Sequence, residues 1–259
     1  MSTFAPEWLA LREKADADAR ADDLVERLRK IHLNRTPLVV RDLGCGTGSL
    51  GRWLAGRLDG PQHWVLHDRD PRLLGIAAAA LSGVTVETRE GDLTALTAAD
   101  LAGTSLVTAS ALLDLLTRAE VDGLAEACVG AGCPALLTLS VAGRVEFDPA
   151  EPLDAEFEAA FNAHQRRVVA GRRLLGPDAT DAAVEAFERR GADVTTSPSP
   201  WRLGSDQNAL AAEWLRGWVD AAVEQEPALA AEAPAYLRRK RDNGPRVVVH
   251  HTDLLAIPA

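Results

Sequence analysis

The sequence predicts an α/β fold in which a mainly parallel sheet is covered by helices on both faces. Short apolar segments alternate with helix-like segments along most of the chain, and this alternation is typical of βαβ units. In addition, the first apolar segment leads directly into a glycine-rich turn that opens a helix. The seven segments expected to form strands are 38–42, 63–67, 84–89, 105–109, 135–141, 192–196 and 246–256.

Helical segments separate most of these strands and also occupy two insertions. The separate helical segments are predicted at 6–33, 50–58, 71–81, 118–129 and 178–190. The insertion at 143–176, after the fifth strand, holds a helix over 153–170. The insertion at 197–243, after the sixth strand, holds helices at about 206–225 and 228–241. Because loops after parallel strands emerge at the carboxyl edge of a sheet, where ligands bind, both insertions are expected to cap that edge.

The length favours one domain with insertions over two separate domains. The 259 residues fit a single α/β domain spanning residues 1–259, and residues 1–36 are expected to form an N-terminal helical cap. The turn-forming residues 242–245, Asp-Asn-Gly-Pro, precede the last predicted strand.

The charge balance argues against a nucleic-acid partner. With 28 Lys+Arg and 38 Asp+Glu, the net charge is −10, whereas a protein that grips a phosphate backbone is usually basic. No apolar run approaches the roughly 18 residues of a membrane span, and the first residues lack the pattern of a secretory signal. The three cysteines show neither a paired framework nor metal-ligand spacing. We therefore expect a cytoplasmic protein that binds no nucleic acid, membrane or metal.

The most informative segment is residues 39–50, VVRDLGCGTGSL. It places Asp42 at the end of the first strand and glycines at 44, 46 and 48, which permit a tight turn and close approach of a ligand. Residues 46–51 also fit the dinucleotide pattern G-x-G-x-x-G, which keeps an NAD(P)-dependent oxidoreductase as an alternative. A pyrophosphate, however, prefers an uncharged glycine turn. An acid two residues before the first glycine suits a ligand with an ammonium and a sulfonium, so the spacing favours that kind of ligand.

This segment resembles motif I, D/E-x-G-x-G-x-G, of the class I S-adenosylmethionine (SAM) dependent methyltransferases. The resemblance covers roughly residues 37–141 and points to the small-molecule type of the family. It implies a Rossmann-like, seven-stranded sheet in the order 3-2-1-4-5-7-6, with an antiparallel last strand. It also implies SAM as the cofactor and S-adenosylhomocysteine (SAH) as the product.

The resemblance also implies cofactor-binding residues. Asp68 follows the second strand, where the family's acid holds the ribose hydroxyls, and a carboxylate accepts two O–H donors well. Asp92 follows the third strand, where the family's carboxylate takes the adenine amino group, and Ser110 follows the fourth, beside the transferable methyl group. The implied cofactor set is Asp42, Gly44, Cys45, Gly46, Gly48, Asp68, Arg69, Asp92, Leu93 and Ser110.

Two residues are candidates for a catalytic base. Asp114 stands where many relatives carry His, and it accepts a proton only if its surroundings raise its pKa. Its alternative is a solvent-facing acid stabilised by a helix dipole. His164 lies in the first insertion, and a plain surface histidine is its alternative. His250 and His251 adjoin on the last strand and are expected to point to opposite faces, which argues against a paired site.

Arginines in the first insertion suggest an anionic acceptor. Arg166 and Arg167 are expected to bind a carboxylate or phosphate, because the planar guanidinium suits such groups. The alternative is a solvated helix face that pairs with Glu156 and Glu158. Trp201, in a proline-containing loop after the sixth strand, is expected to wall the acceptor pocket.

Two further sets of residues have structural alternatives. Trp214 and Trp218 stand four residues apart on one helix face, and this spacing favours a place in the core. Arg12 and Arg20 lie on the first predicted helix. We hypothesise that one of them reaches the carboxylate of SAM, with surface pairing to a nearby acid as the alternative.

The sequence therefore predicts an enzyme of small-molecule metabolism that transfers a methyl group from SAM to a small, anionic acceptor. In-line displacement needs alignment and exclusion of water more than a dedicated base. Besides the oxidoreductase, a non-catalytic SAM-binding or regulatory protein is the alternative, because Asp114 replaces the more usual His.

Overall fold

The structure, a computed structural model, describes residues 5–31, 36–242 and 246–259. The end of the first predicted helix (32–33) and residues 243–245 of the predicted turn lie outside the described residues. The helices are α1 (Pro6–Ala19), α2 (Asp22–Lys30), α3 (Ser49–Ala55), α4 (Pro71–Ala80), α5 (Arg118–Gly130), α6 (Leu153–Gln165), α7 (Ala179–Glu188), α8 (Asn208–Gln225) and α9 (Ala233–Asp242). The strands are β1 (Leu38–Leu43), β2 (Gln62–Asp68), β3 (Thr85–Glu90), β4 (Leu106–Ser110), β5 (Ala135–Asp148), β6 (Val168–Val169), β7 (Arg172–Arg173), β8 (Asp193–Pro198), β9 (Trp201–Leu203) and β10 (Arg246–Ile257).

The main sheet is mostly parallel and ends in a reversed strand, as predicted. Its order is β3-β2-β1-β4-β5-β10-β8, with β9 as a further partner of β10. The pairs among β1 to β5 are parallel, whereas β10 runs antiparallel to β5, β8 and β9. Without β9 this is the implied order 3-2-1-4-5-7-6. The predicted count of seven strands is one too low, because residues 201–203 pair with 247–249 as an additional edge strand.

Apolar clusters bury both faces of the sheet. One cluster packs α5 and α7 against β4 and β5, and another packs α2, α3 and α4 against β1 and β2. β4 is buried along almost its whole length, as is usual for a parallel strand that has helices on both faces. The predicted two-sided cover of helices is therefore confirmed.

β5 and β10 continue past the sheet and carry the cap. β5 extends to Asp148, beyond its predicted end at residue 141, and its outer half pairs with residues 246–249 of β10. Beyond Val141 the burial of β5 alternates, because only one face of this extension is covered. The extension packs with α6, α8 and α9 around a third apolar cluster that contains Trp218. We call this unit the cap; α1 also contributes to its cluster.

Two predicted helices of the insertions have different bounds. The helix expected over 153–170 ends at Gln165, because β6 and β7 form a short hairpin. Ala170 and Gly171 make its turn with φ of 51° and 78°, the pattern of a two-residue type I′ turn. The helix expected over 228–241 begins at Ala233, after a 3₁₀ segment. None of the helices in the described part of the chain is long and apolar enough to cross a membrane.

The single helix expected over 6–33 is divided into α1 and α2. Arg20 and Ala21 have extended backbone conformations, with ψ of 139° and 100°. The Ala21 N–H donates to Oδ2 of Asp253 on β10 at 2.9 Å, and the Leu139 N–H on β5 donates to Oδ1 at 2.7 Å. Because Asp253 is only 1% exposed, its carboxylate fixes the α1–α2 junction on the sheet.

Replacing Asp253 by Ala should lower the free energy of unfolding by about 2–5 kcal/mol, because two buried N–H groups lose their acceptor. Urea unfolding followed by circular dichroism measures the change. Asp220→Ala removes an exposed carboxylate from α8 and should change stability by less than about 0.5 kcal/mol. A similarly small effect of Asp253→Ala would contradict the role given to this carboxylate.

Candidate active site

A cavity of about 1170 Å³ opens at the carboxyl edge of the sheet. It lies between β1 and β4, where the strand order reverses and where open α/β sheets usually bind ligands. The turns after β1, β2 and β4 line one side, which we call the sheet side. Residues of α1, α6, α8 and the β6–β7 hairpin line the other, which we call the cap side. Pockets for one small ligand measure roughly 300–1,000 Å³, so this cavity has room for two small molecules.

The glycine turn after β1 lies on the sheet side. Gly44, Gly46 and Gly48 have φ of 66°, 55° and 82°, values that favour glycine. A Cβ on Gly46 would lie 3.2 Å from the side chain of Leu9 on α1, and one on Gly48 would lie 3.1 Å from Cβ of Ala77 on α4. Glycine therefore allows both helices to approach the turn. The predicted turn residues that line the cavity are Gly44, Cys45 and Gly46.

Asp42, near the end of β1, presents a buried and half-satisfied carboxylate to the cavity. It is 1% exposed, and its Oδ1 accepts a hydrogen bond from the Thr108 hydroxyl at 2.8 Å. Its Oδ2 has no hydrogen-bond partner among the described residues. Burial raises the pKa of Asp42 to about 7, against the opposing effects of Thr108 and the positive charge of Arg20. A buried acceptor without a partner suits a cationic ligand group.

Asp68 joins the turn after β2 to the glycine turn. Its Oδ2 accepts a hydrogen bond from the Gly46 N–H at 2.9 Å, and its Oδ1 accepts one from the Asp70 N–H at 3.0 Å. Asp68 also lines the cavity. Each carboxylate oxygen has a second lone pair, so Asp68 retains capacity to accept hydrogen bonds from a ligand.

Asp92 does not line the cavity, although Arg69 and Leu93 do. Its Oδ1 accepts hydrogen bonds from the N–H and hydroxyl of Thr94 and from Nη2 of Arg69, at 2.9, 2.8 and 2.7 Å. These bonds hold the pKa of Asp92 at about 2. The adenine-binding role of Asp92 stays a prediction, and in this structure the carboxylate caps a short 3₁₀ turn.

Ser110, at the end of β4, lines the cavity and contacts the N-terminal segment. Nη2 of Arg20 donates to the Ser110 hydroxyl at 3.3 Å and to the Ser49 hydroxyl at 3.0 Å. Arg20 is 4% exposed, and its Nε and Nη1 have no hydrogen-bond partner in the described ranges. Its guanidinium carbon lies 5.5 Å from the centre of the Trp53 ring. Of the two arginines in the sequence hypothesis, Arg20 is therefore the one beside the glycine turn.

Asp114 lines the cavity and is buried, so the alternative of a solvent-facing acid is wrong. It belongs to a 3₁₀ turn that precedes α5, and its Oδ1 has no hydrogen-bond partner within the described chain. Burial raises the pKa of Asp114 to about 6. The condition under which this residue can accept a proton near neutral pH is therefore met.

His164 does not line the cavity. Its Nδ1 accepts a hydrogen bond from Nη1 of Arg167 at 3.1 Å, and its Nε2 lies 3.2 Å from Oε2 of Glu224 on α8. Both ring nitrogens are thus engaged, because this face of α6 packs on α8. The candidate base of the first insertion is a buried link between two cap helices, and the alternative of a plain surface histidine is also wrong.

The two arginines predicted to bind the acceptor have different surroundings. Arg166 donates two hydrogen bonds of 2.6 Å to Asp178 and does not line the cavity. Arg167 lines the cavity and forms no ion pair in the described part of the chain, and neither arginine pairs with an acid of α6. The other arginines of the cavity lining each pair with an acid: Arg12, Arg69, Arg72, Arg144 and Arg172.

Trp201 lines the cavity, as expected of a pocket wall. Its indole N–H donates to Oδ1 of Asp16 on α1 at 3.0 Å, and the Arg12 guanidinium carbon lies 4.9 Å from its ring centre. Trp214 and Trp218 pack in or against the cap cluster, as the spacing predicts, but both also line the cavity. The cap side therefore contains several aromatic rings among its polar and aliphatic residues.

His251 is a cavity residue that the sequence pattern missed. It is 6% exposed, its Nδ1 has no partner among the residues described, and its ring centre lies 5.2 Å from that of Trp201. Burial and the charge of Arg12 lower the pKa of His251 to about 3. His250 lines the cavity too, because the β10–β5 register shifts between Val249 and His251 and interrupts strict alternation.

Comparisons with known proteins agree with this geometry. Residues 40–131 match a family model described as a methyltransferase domain. No curated protein sequence shows significant similarity to the chain.

Solved structures share the fold at low sequence identity. A candidate methyltransferase from Bacillus halodurans C-125 is 15% identical over 91% of this chain and 97% of its own, with a TM-score of 0.52. The YcgJ protein from Bacillus subtilis is 11% identical over 92% and 99%, with a TM-score of 0.50. A SAM-dependent methyltransferase from Geobacter sulfurreducens, solved with SAH, is 15% identical over 98% and 99%, with a TM-score of 0.47.

The matched domain and the sheet order point to the same family. The domain spans most of β1, the glycine turn, β2 to β4 and α5, and the turns that follow its strands line the sheet side of the cavity. The observed strand order is the one implied by the resemblance of residues 39–50 to motif I. Residues 40–131 therefore form a methyltransferase domain, and the chain has the fold expected of the class I SAM-dependent methyltransferases.

Proposed function

We propose that this chain is a SAM-dependent methyltransferase that acts on a small-molecule acceptor carrying an anionic group. One observation carries the proposal: the two sides of the cavity differ in chemistry. Three acids without an ion-pair partner (Asp42, Asp68 and Asp114) and the glycine turn line the sheet side, whereas aromatic rings and Arg167, which has no acidic partner, line the cap side, as far as the described chain extends. The arginines of the sheet side, Arg69 and Arg72, and the acids of the cap side, Asp16 and Glu213, are ion-paired. The volume of about 1170 Å³ accommodates a cofactor and an acceptor together.

The sheet side fits SAM. The free Oδ2 of Asp42 suits the ammonium of the cofactor, and the remaining lone pairs of Asp68 suit the ribose hydroxyls. When bound, SAM supplies a methyl group already activated by its sulfonium. The protein therefore has to bind and orient the two reactants. The other residues of the implied cofactor-binding set, from Cys45 to Ser110, are predicted to contribute to this binding.

The cap side fits an acceptor with an apolar body and a negative charge. Phe161, Trp201 and Trp214 supply aromatic surface, which binds apolar and planar groups well. Arg167 presents a guanidinium that no carboxylate in the described chain neutralises, and its planar donors suit a carboxylate or phosphate.

The chain contributes to the reaction mainly through alignment and exclusion of water. Holding the nucleophile in line with the methyl group can lower the barrier by roughly 7–11 kcal/mol. The cap covers the sheet edge, and Asp114 is buried within the resulting cavity. We assign Asp114 as the proton acceptor, because its free Oδ1 and raised pKa suit it to that role.

Cofactor affinity should increase as the pH rises through about 7. Below that pH the Asp42 carboxyl is protonated in the free protein, and a bound ammonium favours its ionised form. The Kd for SAH should therefore rise by up to about tenfold per pH unit below 7. Calorimetry across this range tests it. Asp42→Asn should bind weakly without pH dependence, whereas Asp114→Asn should retain the dependence. A Kd for the wild type that does not change with pH would contradict the role of Asp42.

The acceptor class is tested by screening small carboxylic acids, each against its neutral amide, for SAM-dependent release of SAH. The wild type should prefer the acid by about 10- to 100-fold in kcat/KM, since a hydrogen bond to a charged group contributes about 1.5–3 kcal/mol. Arg167→Ala should lose this preference. Arg173→Ala, on the exposed β7 and outside the cavity lining, should keep it. Equal rates for acids and amides in the wild type would exclude an anionic acceptor.

The role of Asp114 is tested with the best acid from that screen. A base must be ionised, so kcat should rise with pH through about 6 and then level off. Asp114→Asn should lower kcat by about 10²- to 10⁴-fold and remove this limb of the profile. Affinity for SAH serves as the control and should stay close to that of the wild type. An unchanged kcat in the variant would show that the reaction needs no base at this position.

A further inference from the structure

Arg167 is held at one end of its guanidinium and free along the other edge. Its Nη1 donates to the carbonyl oxygen of His164 at 3.0 Å and to the ring Nδ1 of the same residue at 3.1 Å. Its Nε and Nη2 make no hydrogen bond within the described chain and are not buried. Because Arg167 lines the cavity and His164 does not, the free edge is the part of the guanidinium that a ligand in the cavity can reach.

The free Nε–Nη2 edge is the one through which other arginines of this chain bind carboxylates. Along this edge the guanidinium presents two nearly parallel N–H groups, whose spacing matches the two oxygens of a carboxylate. The same pair of atoms contacts a single carboxylate in Arg12, Arg52, Arg72, Arg166 and Arg172. Arg167 therefore offers a ligand an edge that its counterparts use for internal acids.

The contact from Arg167 requires one particular state of the His164 ring. Nδ1 can accept a hydrogen bond only when it carries no proton. On the other side of the ring, Nε2 lies 3.2 Å from Oε2 of Glu224 on α8. A neutral imidazole has one N–H and one acceptor nitrogen, so the form with its proton on Nε2 satisfies both neighbours at once. His164 is buried, and these two contacts fix its ring between α8 and Arg167.

We propose that His164 is a positioning residue for the methyl acceptor: it holds Nη1 of Arg167 so that the Nε–Nη2 edge binds a carboxylate of the acceptor side-on. Glu224 keeps the ring in the state that makes this possible. Ordering a long side chain before binding lowers the entropic cost of binding the ligand. The inference rests on the anionic acceptor proposed above, and it gives His164 a role that acts through Arg167 instead of proton transfer.

The state of the ring is tested without any ligand by nitrogen-15 NMR, which distinguishes the two neutral tautomers and the imidazolium by the shifts of the ring nitrogens. Above about pH 7.5, where an ordinary histidine is neutral, the ring of His164 should carry its proton on Nε2. The signal is assigned by its loss in His164→Asn. A proton on Nδ1, in the other tautomer or in the imidazolium, would overturn the proposal.

The effect on the acceptor is tested by the acid preference, the ratio of kcat/KM for the best acid of the screen to that for its amide. His164→Leu should lower this ratio by roughly 3- to 10-fold through a higher KM for the acid, because Arg167 must then be ordered on binding. The amide should change by less than about twofold. His164→Asn places an amide oxygen near the position of Nδ1 and should keep most of the preference.

A matched control is His63→Leu, because Nε2 of His63 also contacts a glutamate, Glu87, at 3.4 Å, but this pair lies outside the cavity lining. This variant should keep the full acid preference. An unchanged preference in His164→Leu would contradict the positioning role. So would an equal fall in kcat/KM for acid and amide, since purely structural damage affects both.

If His164→Leu does not fold, Glu224→Ala decides, because it removes an exposed side chain and leaves Nε2 without its partner. The acid preference should again fall, and an unchanged value would reject the proposal. Loss of the preference in Arg167→Ala but not in the variants of His164 and Glu224 would reject the positioning role alone and leave the acceptor class standing. A wild type that does not prefer acids would overturn the anionic acceptor and this inference together.

Discussion

The carboxylate of Asp253 is the contact on which the geometry of the cavity depends. It accepts the N–H of Leu139, 114 residues away in sequence, and the N–H of Ala21, 232 residues away. Leu139 lines the cavity with φ of 56°, a conformation that is unfavourable for a side chain of this kind. One buried acid thus fixes an irregular position in β5 and the junction of α1 and α2. Arg20 reaches the sheet edge because the next residue in the chain is anchored there.

Burial shifts the pKa of the cavity's acids and the pKa of its histidine His251 in opposite directions. It raises the pKa of Asp42 and Asp114 towards neutrality and lowers that of His251 far below it. His251 is therefore a neutral ring at physiological pH, whereas the two acids can change their protonation state with a modest change in surroundings. The same enclosure therefore sets the pKa of the groups proposed to bind the cofactor and to accept the proton.

Local patterns in the sequence were sufficient to predict the glycine turn and the place of Asp42 beside it. Asp42 and the glycine turn are a few residues apart, and their positions follow from one strand and one turn. Long-range contacts were not predictable in this way. Arg20 meets Ser110, 90 residues away, only because of how α1 and α2 pack. His251 lines the cavity because of a register shift that leaves no clear mark in the sequence.

The contacts of the cap residues were also only partly predictable from the sequence. The excess of arginines in the first insertion predicted a group that binds the acceptor, but only Arg167 of the predicted pair lines the cavity. His164 was predicted to be a base because of its residue type, but its contact with Glu224 on α8 places it between two cap helices. Fold class and strand order were predictable because alternation and a single motif determine them, whereas side-chain partners depend on contacts between distant segments.

The cap has its own apolar cluster, separate from the two clusters that pack on the sheet. The family match at residues 40–131 ends before the cap begins, and the long strands β5 and β10 are its rigid supports. Substitutions within the cap can therefore change the cap side of the cavity while the packing beneath the glycine turn stays intact. On the function proposed above, the methyl donor is held by one set of packed elements and the acceptor is recognised by another, so the faces of α6 and α8 are where the acceptor preference can be altered without disturbing the glycine turn.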